Sequence, residues 1–216
     1  MMKLNWEDIL IVGGSICQHR DSLDHWPKLL CCLLTGDLND TRDAPGIGYP
    51  GASWWSTKRY LDAALTQHKP KVLIVTHAES GRIPHDDHLP LNGAIAMFKQ
   101  LNLIDKRIYN AAEQYYRYLY SEDFHLWAQH RWFDELDNIT KDIPLTIHIL
   151  QNSDQWTFKN GITIDQALED LSTRPFWDNE CRNHLTPDEN TRLAHELYKL
   201  IENFSTNGRI KIGWEK

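Results

Sequence analysis

Apolar residues fall along this chain in two patterns. Short, largely apolar runs at Asp8 to Val12 (DILIV), Val72 to Val75 (VLIV) and Pro144 to Leu150 (PLTIHIL) stand between longer stretches in which apolar positions recur every three or four residues. Runs of that length, rich in β-branched residues and closed by turn residues, predict strands buried on both faces. The first stops at Gly13-Gly14. Trp26 to Leu34 (WPKLLCCLL), closed by Thr35-Gly36, predicts a helix buried nearly all round. Ser53 can cap a second helix through Trp54, Trp55, Tyr60, Leu61 and Leu65 toward His68, ended by Lys69-Pro70. Strand, helix and strand in succession make a parallel crossover unit.

Farther on, residues from about 93 to 136 read as mainly helical, with an aromatic section (YYRYLY, then FHLWAQHRWF) that is one long helix or two. Thr186-Pro187-Asp188-Glu189 has the form of a capping box: Thr at the N-cap, Pro at the first helical position and Glu at the third. Leu193, Ala194, Leu197, Tyr198 and Ile201 follow on one face. The expected architecture is a three-layer α/β/α domain spanning 1–216, with a central, mainly parallel sheet and a helical insertion around 93–136. Asp37 to Gly51, rich in Gly, Pro and Asp, reads as a loop. The strand completing a five-stranded sheet is sought near Leu38 or at Ile162 to Ile164.

Composition narrows the function classes. The chain has 216 residues, 41% apolar and 25% charged, as a single globular domain does. Its formal charge of -7 lacks the basic stripe that a phosphate backbone requires, so nucleic acid is not an expected partner. No apolar run approaches a membrane span. Ile9 to Val12 is only a strand long and follows Glu7 and Asp8, so a signal-peptide core is not expected and the cytoplasm is. Four cysteines, Cys17, Cys31, Cys32 and Cys181, suggest neither a disulfide framework nor a metal pair. The nine tryptophans, Trp54, Trp55, Trp127 and Trp132 among them, read as core or helix interface ahead of ligand stacking, and they leave self-association open.

Candidate chemistry begins at Ser15. A serine directly after a buried strand and two glycines stands where the next backbone N–H groups can receive negative charge, although serine is also a common helix cap. His184 lies just before the capped C-terminal helix, on a short loop. His19 and Arg20, a turn beyond Ser15, line a pocket or the surface, and Cys17 reads as packing.

These pieces together resemble the SGNH (GDSL-like) hydrolases, in particular a divergent group whose first block reads G-x-S. The resemblance rests on Ile11-Val12-Gly13-Gly14-Ser15, Trp26-Pro27-Lys28-Leu29-Leu30, Gly48-Tyr49-Pro50-Gly51-Ala52-Ser53, Val72 to Val75 and His184-Leu185-Thr186-Pro187, in the family's order over nearly the whole chain. It implies an SGNH/flavodoxin-like fold, Ser15 as nucleophile, His184 as general base, and Ser15 and Gly51 N–H groups as oxyanion donors. It also implies a small acyl ester as substrate, a carbohydrate O-acetyl group among them, and no cofactor.

Two departures stand out. The family's third-block asparagine is missing from Thr76-His77-Ala78-Glu79, leaving His77 or Arg82 to supply that donor, with an ionised Glu79 opposing it. The family's acid three residues before the histidine is replaced by Cys181, so Glu180 or Asp178, or a backbone carbonyl, has to orient His184. Arg82, His19 and Trp54 are the expected substrate contacts. Two alternatives follow from the same residues: a catalytically impaired binding or assembly module, and a metal-dependent hydrolase using His77, Glu79, His85, Asp86, Asp87 and His88. The second lacks any established ligand spacing, and no metal is the leading expectation.

Overall fold

The computed structural model describes residues 4–18, 21–49, 51–82, 105–150, 156–164 and 185–204, and the backbone of 208–210. Six strands form one sheet: β1 (Ile9–Gly13), β2 (Gly46–Gly48), β3 (Val72–His77), β4 (Leu145–Leu150), β5 (Ile162–Ile164) and β6 (Gly208–Ile210). Their order is β2-β1-β3-β4-β5-β6, and every pairing is parallel. The helices are α1 (Trp26–Thr35), α2 (Trp54–Gln67), α3 (Lys106–Tyr118), α4 (Glu122–Thr140) and α5 (Pro187–Glu202).

Side-chain alternation divides the core in two. Ile9, Ile11, Val72, Ile74, Ile147, Ile149, Ile162 and Ile164 face α1 and α5, packing on Trp26, Leu30, Leu193 and Leu197. Leu10, Val12, Leu73, Val75 and Leu150 face α2 and α4, packing on Leu61, Trp132, Phe133 and Leu136. The result is a three-layer α/β/α fold. Both faces of the sheet are covered, which is why its central strands read as continuous apolar runs. Among the described residues, no helix is long and apolar enough to cross a membrane.

The helix ends follow local chemistry. Ser53 Oγ accepts from Ser56 N at 3.2 Å. Gly36, with φ of 77°, closes α1 in the left-handed conformation, donating to the Cys32 carbonyl at 2.9 Å. Both halves of the Thr186/Glu189 capping box form. The aromatic stretch is two helices rather than one, because Ser121 caps α4 by accepting from Phe124 N. The beginning of the anticipated helical region, 93–104, lies outside the described residues. Trp132 is buried, whereas Trp55 and Trp127 are exposed, so the tryptophans do not share one role.

Two expectations change. The loop expected over Asp37 to Gly51 contains β2, the partner of β1, while Leu38 lies in an exposed turn. Ile162–Ile164 is a strand, with β6 beyond it. β2 carries only one β-branched residue, Ile47, because its other two positions run too close to neighbouring chain for a side chain, Gly46 to Ile11 and Gly48 to Cys17. Gly46 has φ of 124°, and a Cβ there would stand 1.7 Å from the Ile11 carbonyl oxygen. Gly46→Ala is therefore expected to cost on the order of 2–3 kcal/mol, read as a lower denaturation midpoint in urea with an unchanged m-value. Equal midpoints for the two proteins would show that the β1–β2 spacing relaxes freely.

Candidate functional site

In a parallel sheet of this order the ligand crevice lies outside the carboxyl ends of the strands where the winding reverses, here between β1 and β3. Three segments meet at that end. Ser15–Cys17 form a single 3-10 turn directly after β1, with Cys17 N donating to the Gly14 carbonyl at 3.0 Å. Gly14, not Ser15, occupies the cap position, so Ser15 sits inside the turn and is 4% exposed. Gly13 permits the approach of β3: a Cβ on it would lie 1.9 Å from Thr76 Oγ1. On the same side Cys17 Sγ is 3.1 Å from Thr76 Oγ1, which makes Cys17 a packing residue.

The second segment follows β2. Tyr49 N donates to the Gly13 carbonyl and Ala52 N to the Tyr49 carbonyl, both at 3.3 Å, and Gly51 adopts the left-handed conformation with φ of 72°. This turn thus stays beside β1, bonded to it two residues before Ser15, until Ser53 starts α2. Trp54, the first residue of α2, is half-buried against Trp55 with ring centroids 5.9 Å apart.

The third segment continues β3. Arg82 Nε donates to Glu79 Oε2, and both side chains are largely buried. Glu79 is therefore neutralised by Arg82, which offsets the repulsion a lone carboxylate would exert on an oxyanion nearby. Gln129 Nε2 on α4 donates to the Ala78 carbonyl at 2.7 Å, and Tyr116 on α3 donates to the Gly81 carbonyl at 2.8 Å. The helical insertion thus pins this turn.

His77 behaves differently from expectation. It lies on the opposite face of the sheet from Thr76, with its ring against Phe133 and Phe158. Its Nε2 is 3.2 Å from His148 Nδ1, and His148 Nε2 is 3.2 Å from the Asn160 carbonyl oxygen. The carbonyl can only accept, so His148 carries its proton on Nε2 and accepts at Nδ1; His77 then donates from Nε2. Burial lowers both pKa values, His77 further through the neighbouring His148, and His148 falls to about 3 despite its bond to Asn160. A neutral His77 has spent its one N–H on His148. It cannot serve as the missing oxyanion donor, and of the two residues proposed for that task Arg82 remains.

His184, Glu180, Asp178 and His19 lie outside the described residues, as do His85, Asp86, Asp87 and His88. Among the described residues no three His, Cys, Asp or Glu side chains converge as a metal site, and His77 and Glu79 are engaged with His148 and Arg82.

A buried chain of hydrogen bonds connects the neighbours of Ser15 and His184. Trp26 Nε1 donates to the Ile16 carbonyl at 2.9 Å, and Trp26 N donates to Asn190 Oδ1 at 3.1 Å. Asn190 Nδ2 in turn donates to the Leu185 and Thr186 carbonyls at 3.1 and 3.0 Å. Ile16 follows Ser15 and Leu185 follows His184, so two side chains span the gap between the segments. Sequence reading found Trp26 only as part of a motif. It missed Asn190, which carries no periodic signal because it is a polar residue on the buried face of an amphipathic helix. Asp137 was missed for the same reason; its Oδ1 accepts from Lys159 N and Asn160 N and sets the turn that holds His148.

Comparison with protein-family models gives no match to this chain. Comparison with curated proteins gives none either.

Proposed function

We propose that the protein is a serine hydrolase of the SGNH type that cleaves a small acyl ester, with Ser15 as nucleophile and His184 as general base. The observation that supports this reading is the buried bridge from Ile16 through Trp26 and Asn190 to Leu185, which ties the residue after Ser15 to the residue after His184. In the proposed reaction His184 accepts the Ser15 hydroxyl proton as Oγ bonds to the substrate carbonyl carbon. The oxyanion is received by the Ser15 and Gly51 N–H groups. Collapse breaks the ester C–O bond, and His184 returns its proton to the departing alcohol. Water then attacks the acyl-Ser15 carbonyl, giving its proton to His184, and release of the acid restores Ser15. Glu180 or Asp178 orients the imidazole. A carbohydrate O-acetyl group fits this chemistry, since only an acetyl unit has to reach Ser15.

A fluorophosphonate probe tests the reading without knowledge of the substrate. Its phosphorus should be attacked by Ser15 Oγ with loss of fluoride, and the peptide containing Ser15 should carry the added mass. Labelling should vanish in Ser15→Ala and in His184→Ala. A wild-type protein whose Ser15 peptide stays unmodified would favour a non-catalytic binding module.

A further inference from the structure

We infer that Trp26 and Asn190 are positioning residues that set the nucleophile turn against the loop of the general base; this rests on the hydrolase reading above. Each makes polar contacts beyond what helix packing needs. Trp26 begins α1, where a backbone N–H has no partner within the helix, and Asn190 supplies that partner across 164 residues of sequence. The Trp26 indole N–H does not serve α1 at all but fixes the Ile16 carbonyl, at the centre of the turn that opens with Ser15. The Asn190 amide likewise fixes the Leu185 carbonyl ahead of the α5 cap.

The Asn190 amide orientation is set by its surroundings: its oxygen faces a donor and its nitrogen faces two carbonyls, so the group cannot be reversed without opposing like partners. Trp26 and Asn190 are 0% and 1% exposed, and no solvent competes for these bonds. Rigid, fully paired polar side chains between two loop segments are what a proton transfer over hydrogen-bond distance requires, since an error of about 1 Å in such a pair costs on the order of a hundredfold in rate.

Two variants separate positioning from packing. Trp26→Phe removes the indole N–H donor, keeps an aromatic ring and leaves a small cavity that lowers stability. Asn190→Asp keeps an acceptor for Trp26 N but loses the donors to Leu185 and Thr186. Fluorophosphonate labelling of Ser15 is followed in each folded variant at 15 °C as a second-order rate constant and as a function of pH. Both variants should label about tenfold to a hundredfold more slowly than wild type, with a shifted pH midpoint. A variant that melts earlier but labels at the wild-type rate and midpoint would reduce these residues to packing and overturn the inference, while the hydrolase reading stood. Wild-type protein that never labels at Ser15 would remove both. Should Asn190→Asp fail to fold, Trp26→Phe decides alone, because the labelling rate and its pH midpoint are read on folded protein, where lost stability alone does not move them.

Discussion

Ser15→Ala is expected to lower p-nitrophenyl acetate hydrolysis by about four orders of magnitude or more, because in the proposed reaction the Ser15 hydroxyl is the atom that bonds to the acyl group. Cys17, the only other nucleophilic side chain in the turn, is buried and packed on Thr76. The fold should survive, since Ser15 lies in a turn held by the Gly14 and Ser15 carbonyls, which alanine retains. A thermal midpoint close to wild type would accompany the lost turnover. Unchanged turnover in the alanine variant would take Ser15 out of the mechanism, whatever else the crevice contains.

Acid should unfold the protein through His77 and His148. Both are neutral in the folded state, where the groups around them are Phe133 from α4, Phe158 and the Asn160 carbonyl, and among the described residues no carboxylate bonds to either ring. In the unfolded chain each imidazole takes up a proton near pH 6.5, whereas burial holds the folded values lower, His148 at about 3. Stability from the pair is therefore complete above pH 6.5 and is lost as pH falls below it. Well under that point each histidine costs about 1.4 kcal/mol per pH unit, about 2.7 kcal/mol for both. Against a total of roughly 5–15 kcal/mol, two pH units remove about 5 kcal/mol, a large share of that stability. Urea midpoints measured from pH 7 to 4.5 should fall steadily. A flat profile would mean that the rings are already hydrated or charged in the folded protein.

The fold was legible where burial is two-sided. Val72 to Val75 could be read as a strand because both faces of β3 are covered, and Thr186-Pro187-Asp188-Glu189 announced α5 because capping is settled within four residues. β2 was not legible: its glycines are dictated by neighbours remote in sequence, the Ile11 backbone at Gly46 and Cys17 at Gly48, contacts no local pattern expresses. The candidate site was partly legible. Ser15, Gly51 and Glu79-Arg82 do gather at one end of the sheet, whereas His77 turned to the far face, since alternation along β3 depends on where the strand starts. Trp26, Asn190, His148 and Asp137 act through partners remote in sequence, and their roles become visible only once those partners are adjacent.

The hydrogen bond between Trp26 and Asn190 also fixes when the serine turn and the start of α5 can be joined. It joins residues 164 positions apart, so β1 and α1 can form early in synthesis while the segment that completes their polar contacts is still being made. Until α5 has left the ribosome, the indole and amide partners of Ile16 and Leu185 cannot be in place together. A nascent or C-terminally truncated chain would therefore hold the serine turn without its counterpart, and the bridge would close in one late step instead of growing with the polypeptide.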